Sequence, residues 1–239
     1  MTSNQLQLFI LILFLSIMPS QIFAAEYPLQ LKNDFINFID SKGGLEQAQQ
    51  FARWETTELR SQCFHCHGET GISPDYTSQN LTSSTKLYFD QQFNTPNLAA
   101  QQPLYLIQQL TDFMSNKRKN STMHKLSIKL SQEEVFLLAL YFSAQPAKVN
   151  TTLQKSNLDK IALGKKTYLD RCQFCHGANA AGQGVYARLA GLNYYYLFDN
   201  IQLFRDKKSQ RSHAGMTAIT KGLSNSDIIQ LALFLSTHN

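Results

Sequence analysis

No cysteine of this 239-residue chain lies outside two short stretches, QCFHCHG at 62–68 and RCQFCHG at 171–177. That scarcity leaves nothing from which to build the disulfide scaffold of a small exported domain. Cys63 and Cys66 stand three apart, as do Cys172 and Cys175. Closing so small a loop restrains little of the unfolded chain, so neither pair serves as a structural staple. Charge is scarce as well: charged residues make up 16% of the chain, against 43% hydrophobic ones. A chain of that composition buries a core and is not disordered. The formal net charge of +5 and the pI of about 9.0 come from scattered basic residues. No nucleic-acid-binding motif stands beside them, and ordinary solvated lysines account for them.

Also missing is any Lys or Arg ahead of the apolar run Leu6–Met18. That run, followed by Pro19, Ser20 and Phe23-Ala24-Ala25, reads as a signal peptide over residues 1–24, cut after Ala24. It is short for a full span, which needs roughly 20 apolar residues. The expected location is the periplasm. Because no basic residue precedes the run, membrane association through an uncleaved segment is the alternative.

Each cysteine pair is followed at once by a histidine, His67 or His176. Three chemistries use closely spaced cysteines. A joint four-sulfur zinc site wants its pairs roughly 15–20 residues apart, whereas here an entire helical unit separates them, and zinc gives no role to the histidines. A dithiol switch wants a strand before the motif. Here Asn157–Arg171 (NLDKIALGKKTYLDR) precedes it, with a cap-like Asn and apolar residues at helical spacing. Covalent haem attachment uses all three positions: the thiols add across the two vinyl groups and the imidazole ligates iron. Two covalently attached haem c groups are therefore expected, tethered by Cys63, Cys66, Cys172 and Cys175, with His67 and His176 on the metal.

The chain also repeats itself. YLIQQLTDF (105–113) aligns with YLFDNIQLF (196–204) at an offset of 91. STMHKLSIKLSQEEVFLLALYFSAQ (121–145) aligns with AGMTAITKGLSNSDIIQLALFLSTH (214–238) at an offset of 93, and the haem motifs are offset by 109. The first unit thus carries about 18 extra residues somewhere in 72–95. Met123 falls on Met216, each in an expected polar loop before a terminal helix. A thioether is a soft iron donor, which makes this pair the candidate sixth ligands. Filling core gaps is the ordinary role of methionine; that or the signal peptide suffices for Met18 and Met114. His124 and His213 compete for the iron, but neither has a counterpart in the other unit. His65 and His238 are expected at the surface.

Both units close on a Ser-x-x-acid helix start, Ser131 with Glu134 and Ser224 with Asp227. Behind them Val135, Leu138, Ala139 and Phe142, and likewise Ile228, Leu231, Ala232 and Leu235, recur at helical spacing. No stretch alternates like a sheet. The expected fold is all-α.

With these motifs in tandem, and LAAQQPLYLIQQLTDFMSNKR matched by LAGLNYYYLFDNIQLFRDKK, the chain resembles the di-haem cytochrome c4 family, two class I cytochrome c units in series. The likeness runs from about residue 50 to the end. It implies a domain over 25–146 with an N-terminal extension and an insertion near 75–93, a linker over 147–157, and a second domain over 158–239. It implies His67 with Met123, and His176 with Met216, as axial pairs, and places Arg118 near haem propionates. Ser209 stands where the second unit would carry that arginine, so Lys207, Lys208 or Arg211 would substitute. The family also implies a close crossing of first and last helices at Gly164, beside Phe234. The aligned position in the first unit is Glu55, opposite Tyr141, which predicts a looser or shifted crossing there. In the extension, Phe35, Ile36 and Ile39 are expected to form a short helix patching the domain.

The implied function is a periplasmic carrier of single electrons, and not an enzyme. Its expected donor is a quinol-oxidising complex or a dehydrogenase, its acceptor a terminal oxidase. Two alternatives stay open: a di-haem peroxidase-like enzyme with one open iron, and a haem subunit of a larger dehydrogenase.

Overall fold

A computed structural model describes residues 29–73, 95–149, 157–209 and 213–238. The expected signal peptide, the expected 75–93 insertion, most of the expected 147–157 linker and Arg211 lie outside these residues. Among the described residues there are helices and a single isolated bridge between Gln183 and Tyr186, with no strand. None of these helices is long and apolar enough to cross a membrane.

The first unit contains α1 (Leu29–Ser41), α2 (Leu45–Glu55), α3 (Ser61–His67), α4 (Pro103–Met114), α5 (Ser121–Ser127) and α6 (Gln132–Ser143). The second contains α7 (Leu158–Arg171), α8 (Gln173–His176), α9 (Tyr194–Arg205), α10 (Ala214–Thr220) and α11 (Asn225–Thr237). Terminal helices α6 and α11 form the centre of each core. Both start on a reciprocal cap that satisfies amides left over at a helix N-terminus. Glu134 N donates to Ser131 Oγ at 3.2 Å and Ser131 N to Glu134 Oε2 at 2.7 Å. Asp227 N and Ser224 N make the same pair of bonds at 3.1 and 2.8 Å.

Against α6 pack α2 and α4; against α11 pack α7 and α9. The α7–α11 crossing is close because Gly164 has no side chain: a Cβ there would fall on the backbone carbonyl of Gln230. Beside it Tyr168 packs on Phe234 with ring centroids 5.6 Å apart. In the first unit α2 stops at Glu55, the aligned position, and packs less extensively on α6 than α7 does on α11. The looser crossing expected there is observed.

Helix α1 is the extension, and it does more than patch a surface. Phe35 is buried and meets Phe136 edge-on at 5.2 Å, while Phe38 lies 5.6 Å from the same ring. Lys42 sits 4.1 Å over the Phe51 ring and 3.6 Å from Glu133. Ile36 remains exposed.

The duplication reaches the loops. Ala100 N donates to Phe142 O at 3.1 Å, and Gly191 N donates to Leu235 O at 2.8 Å. These donors and acceptors are separated by 91 and 93 residues, the sequence offsets of the repeat.

Candidate haem sites and the junction between the units

The haem motifs lie on α3 and α8, and both helices end at the motif histidine. Gly68 and Gly177 follow with φ of 75° and 80°, a left-handed stop that favours glycine. Their amides donate back to Phe64 O and Gln173 O. The turn holds both imidazoles inward: His67 and His176 are each 8% exposed, whereas His65, between the first two cysteines, is exposed.

Each buried imidazole is oriented by one backbone carbonyl. His67 Nδ1 lies 2.9 Å from Pro96 O, and His176 Nδ1 lies 2.8 Å from Ala187 O. A carbonyl only accepts, so Nδ1 carries the proton and Nε2 the lone pair. That tautomer suits a metal ligand whose second nitrogen is held by a partner. Pro96 and Ala187 are again 91 residues apart. Burial lowers the His67 pKa; the Pro96 bond opposes this and Arg118 adds to it.

Burial pushes the Cys63 thiol up to about 11, with Cys66 adding to the effect. It pushes Cys172 up to about 11 also, Arg171 opposing and Cys175 adding. No three His, Cys, Asp or Glu side chains among the described residues gather as a metal cluster, so the pairs are separate sites. One pair of closely spaced thiols beside one oriented imidazole, twice over, fits covalently bound haem.

The two methionines are not in loops, as the sequence pattern predicts, but in short helices. Met123 is the third residue of α5 and Met216 the third of α10, both half-buried. Polar residues close each helix start: Met123 N donates to Asn120 Oδ1 at 2.9 Å, and Met216 N to His213 Nδ1 at 3.1 Å. His213 is therefore the positional match of Asn120, a cap. His124, the other competing histidine, is engaged through Nδ1 with Phe113 O at 2.8 Å. His238, expected at the surface, is half-buried and stacks on Phe234 at 4.8 Å.

Arg118 is at the junction of the two units. Its guanidinium lies 4.6 Å over Phe113, donates to Gln109 Oε1 at 2.7 Å, and reaches across to Tyr196 OH at 3.2 Å. Together with Lys119, Asn200, Leu203 and Ser209 it lines an open cavity of about 290 Å³. Ser209, its aligned counterpart, thus faces the same space, while Lys207 and Lys208 are exposed.

Sequence reasoning misses the carbonyls of Pro96 and Ala187, because a main-chain acceptor leaves no residue-type signature. It also misses the polar bridge between the units. Asn97 Nδ2 donates to Gly191 O at 2.8 Å. Gln102 Nε2 donates to Ala181 O at 3.0 Å, and Gln101 engages Arg188. Neutral Asn and Gln in the loop ahead of α4, where only Gln102 stands at a helix cap, were the available signal.

A family model for cytochrome c matches residues 161–239. Cytochrome c4 of Stutzerimonas stutzeri is 29% identical over 195 residues, 72% of this chain and 82% of that one. Cytochrome c-554(548) of Halomonas halodenitrificans is 34% identical over 68 residues, 28% of this chain and 82% of its own. A thiosulfate dehydrogenase electron acceptor of Thiomonas intermedia is 26% identical over 152 residues, 60% of this chain and 63% of that one. Among solved structures, reduced recombinant cytochrome c4 from Pseudomonas stutzeri superposes with a TM-score of 0.59 at 24% identity, over 81% of this chain and 98% of that one. The chain belongs to the cytochrome c family, and its two units place it among the di-haem cytochromes c4. It is an electron-transfer cytochrome with covalently bound haem c in each unit.

Proposed function

We propose that the protein is a periplasmic shuttle that takes single electrons from one respiratory-chain partner and delivers them to another. Cys63, Cys66, His67 and Met123 would hold the first haem, and Cys172, Cys175, His176 and Met216 the second. When bound, each haem c supplies a one-electron ferric/ferrous couple. The chain's residues supply position and tuning. His67 and His176 enter with their tautomers already set by Pro96 O and Ala187 O, so little side-chain motion accompanies a change of charge. Met123 and Met216 offer soft sulfur from helix starts pinned by Asn120 and His213, and thioether ligation favours the reduced state. Arg118 stands where the units meet and would balance propionate charge there. A histidine and a methionine holding each haem would leave no place on the iron for a small-molecule substrate.

The observation that carries this reading is the doubled imidazole–carbonyl pair, identical in both units to within 0.1 Å, at 2.9 and 2.8 Å. The proposed donor is a quinol-oxidising complex or a periplasmic dehydrogenase, and the acceptor a terminal oxidase. Similarity to a thiosulfate dehydrogenase electron acceptor supports a second reading, a haem subunit working with one dehydrogenase. Copurification with a catalytic chain would mark that outcome.

The test is an optical and redox titration of the holoprotein beside Met123→Ala and Met216→Ala. Wild type should carry two haems per chain, both with the iron–thioether charge-transfer band. Each variant should lose half of that band, gain carbon monoxide binding at one haem, and show one lowered midpoint potential. A wild-type haem that lacks the band and binds cyanide readily would favour the peroxidase-like alternative instead.

A further inference from the structure

Each imidazole-holding carbonyl lies in a loop that also forms the contact between the units. Pro96 O holds His67, and the next residue, Asn97, crosses to Gly191 O at 2.8 Å. Ala187 O holds His176, and the next residue, Arg188, is gripped from the first unit by Gln101. The grip has two points. Arg188 N donates to Gln101 Oε1 at 2.6 Å, and Gln101 Nε2 donates to Arg188 O at 3.0 Å. Arg188 N belongs to the same peptide plane as Ala187 O. The bond to Gln101 Oε1 therefore fixes the orientation of the carbonyl that accepts from His176 Nδ1. Gln101 itself is 4% exposed, and its Oε1 also accepts from Gln102 N at 3.0 Å, so the carboxamide cannot swing away.

We propose that Gln101 is a positioning residue for the second haem, acting from the first unit through the Ala187–Arg188 peptide on His176. This rests on His176 being an axial ligand. Polarising the peptide from its N–H side strengthens its carbonyl as an acceptor. A stronger acceptor draws the Nδ1 proton, makes the imidazole a better donor to iron, and stabilises the ferric state. The second haem's potential thereby depends on contact with the first unit. Asn97 is the nearest thing to a reciprocal device: its Oδ1 accepts from Ser73 N and Oγ at 2.9 and 2.8 Å, and its amide crosses the junction. Among the described residues, however, no side chain of the second unit grips its own peptide with Pro96 in this way. The coupling is directional, from the first unit to the second.

The experiment uses the full-length holoprotein and compares Gln101→Ala and Gln101→Glu with Gln102→Ala. Gln102 is the control, since it crosses the junction to Ala181 O and Gly182 O at 3.0 and 3.3 Å without touching Arg188. Redox titration gives both midpoints, and proton NMR of the oxidised protein follows the His176 ring signals and the exchange of its Nδ1 proton. Gln101→Ala should raise the second midpoint, leave the first in place, and speed Nδ1–H exchange at His176 but not at His67. Gln101→Glu, which keeps the acceptor for Arg188 N, should restore slow exchange. Gln102→Ala should leave the second midpoint alone. The proposal is overturned if Gln101→Ala leaves the His176 signals and the second midpoint unmoved, or if Gln102→Ala shifts them equally. Loss of axial His176 signals from wild type itself would instead sink the ligand assignment, and the proposal with it.

Discussion

In the second unit the first helix brings a tyrosine to the last helix; in the first unit the last helix brings one to the haem motif. Tyr168 on α7 is fully buried, and its hydroxyl donates to Gly177 O, directly behind the motif histidine. The first unit has Leu59 at the aligned place. There Tyr141 on α6 donates to Glu69 O at 3.1 Å, one residue further on. Arg60 covers the Tyr141 ring at 4.2 Å and donates to Arg53 O at 2.6 Å, capping the end of the shortened α2. A tyrosine hydroxyl thus reaches a carbonyl of the haem-motif turn in both units, one residue apart and from helices that have exchanged roles. What the duplication keeps at the equivalent carbonyl is a backbone bond, Gly71 N to Gly68 O at 3.0 Å and Ala180 N to Gly177 O at 3.1 Å; the tyrosine that braces the turn is free to change helix.

The extension widens the contrast. Phe136 is 3% exposed because Phe35 and Phe38 lie on it, whereas its counterpart Ile229 is only half-buried. The first unit should therefore depend on α1, and the second should not. Phe35→Ala should destabilise the first unit by about 3–5 kcal/mol, the usual range for emptying a buried Phe site. Chemical unfolding followed at each haem separately should show the second transition unchanged. Coincident shifts of both transitions would mean that the units fold as one body and would remove the contrast.

Gly164→Ala applies the opposite test. Its Cβ would meet the Gln230 carbonyl, a backbone atom that cannot rotate away, so the two helices must separate. Overpacking of this kind costs about 1–3 kcal/mol, and it should appear in the second transition alone. The first unit has Glu55 at the aligned position and a looser packing of α2 on α6, so it has no such contact to overpack.

Much of this was legible from residue types. The helical class, the duplication, both cysteine–histidine motifs and both Ser-x-x-acid caps follow from patterns that local chemistry enforces. The close crossing at Gly164 and its looser counterpart in the first unit were legible through the resemblance. Other features were hidden. Periodicity marks Val135, Leu138, Ala139 and Phe142, yet every residue from Val135 to Phe142 is buried, as is every residue from Leu231 to Thr237, because each terminal helix is enclosed on all sides. The methionine segments look like polar loops since a seven-residue helix has too few apolar positions to show a period. His213 reads as a possible iron ligand until its cap role, equivalent to that of Asn120, becomes visible in three dimensions. Carbonyl partners such as Pro96 O and Ala187 O have no sequence signature at all.

The smallest difference between the units is at the two caps. Asp227 Oδ2 accepts from both Ser224 N and Ser224 Oγ at 2.8 Å, and the backbone bond first, then the hydroxyl bond, holds its carboxyl below the usual aspartate range. A carboxylate with a depressed folded pKa stabilises fully above its unfolded value, near 3.9. That contribution is lost as pH falls through the lower folded value. Asp227→Asn should therefore cost the second unit about 0.5 kcal/mol at neutral pH, as expected for a charge near an exposed helix start. The gap between wild type and variant should hold steady down to about pH 4 and close below it. Ser131→Ala and Ser224→Ala should each cost about 1 kcal/mol in their own unit. A gap for Asp227→Asn that stays constant into strong acid would show that the aspartate caps by shape and not by charge. Unequal losses for the two serines would show that the caps, alike in geometry, carry different weight in the two cores.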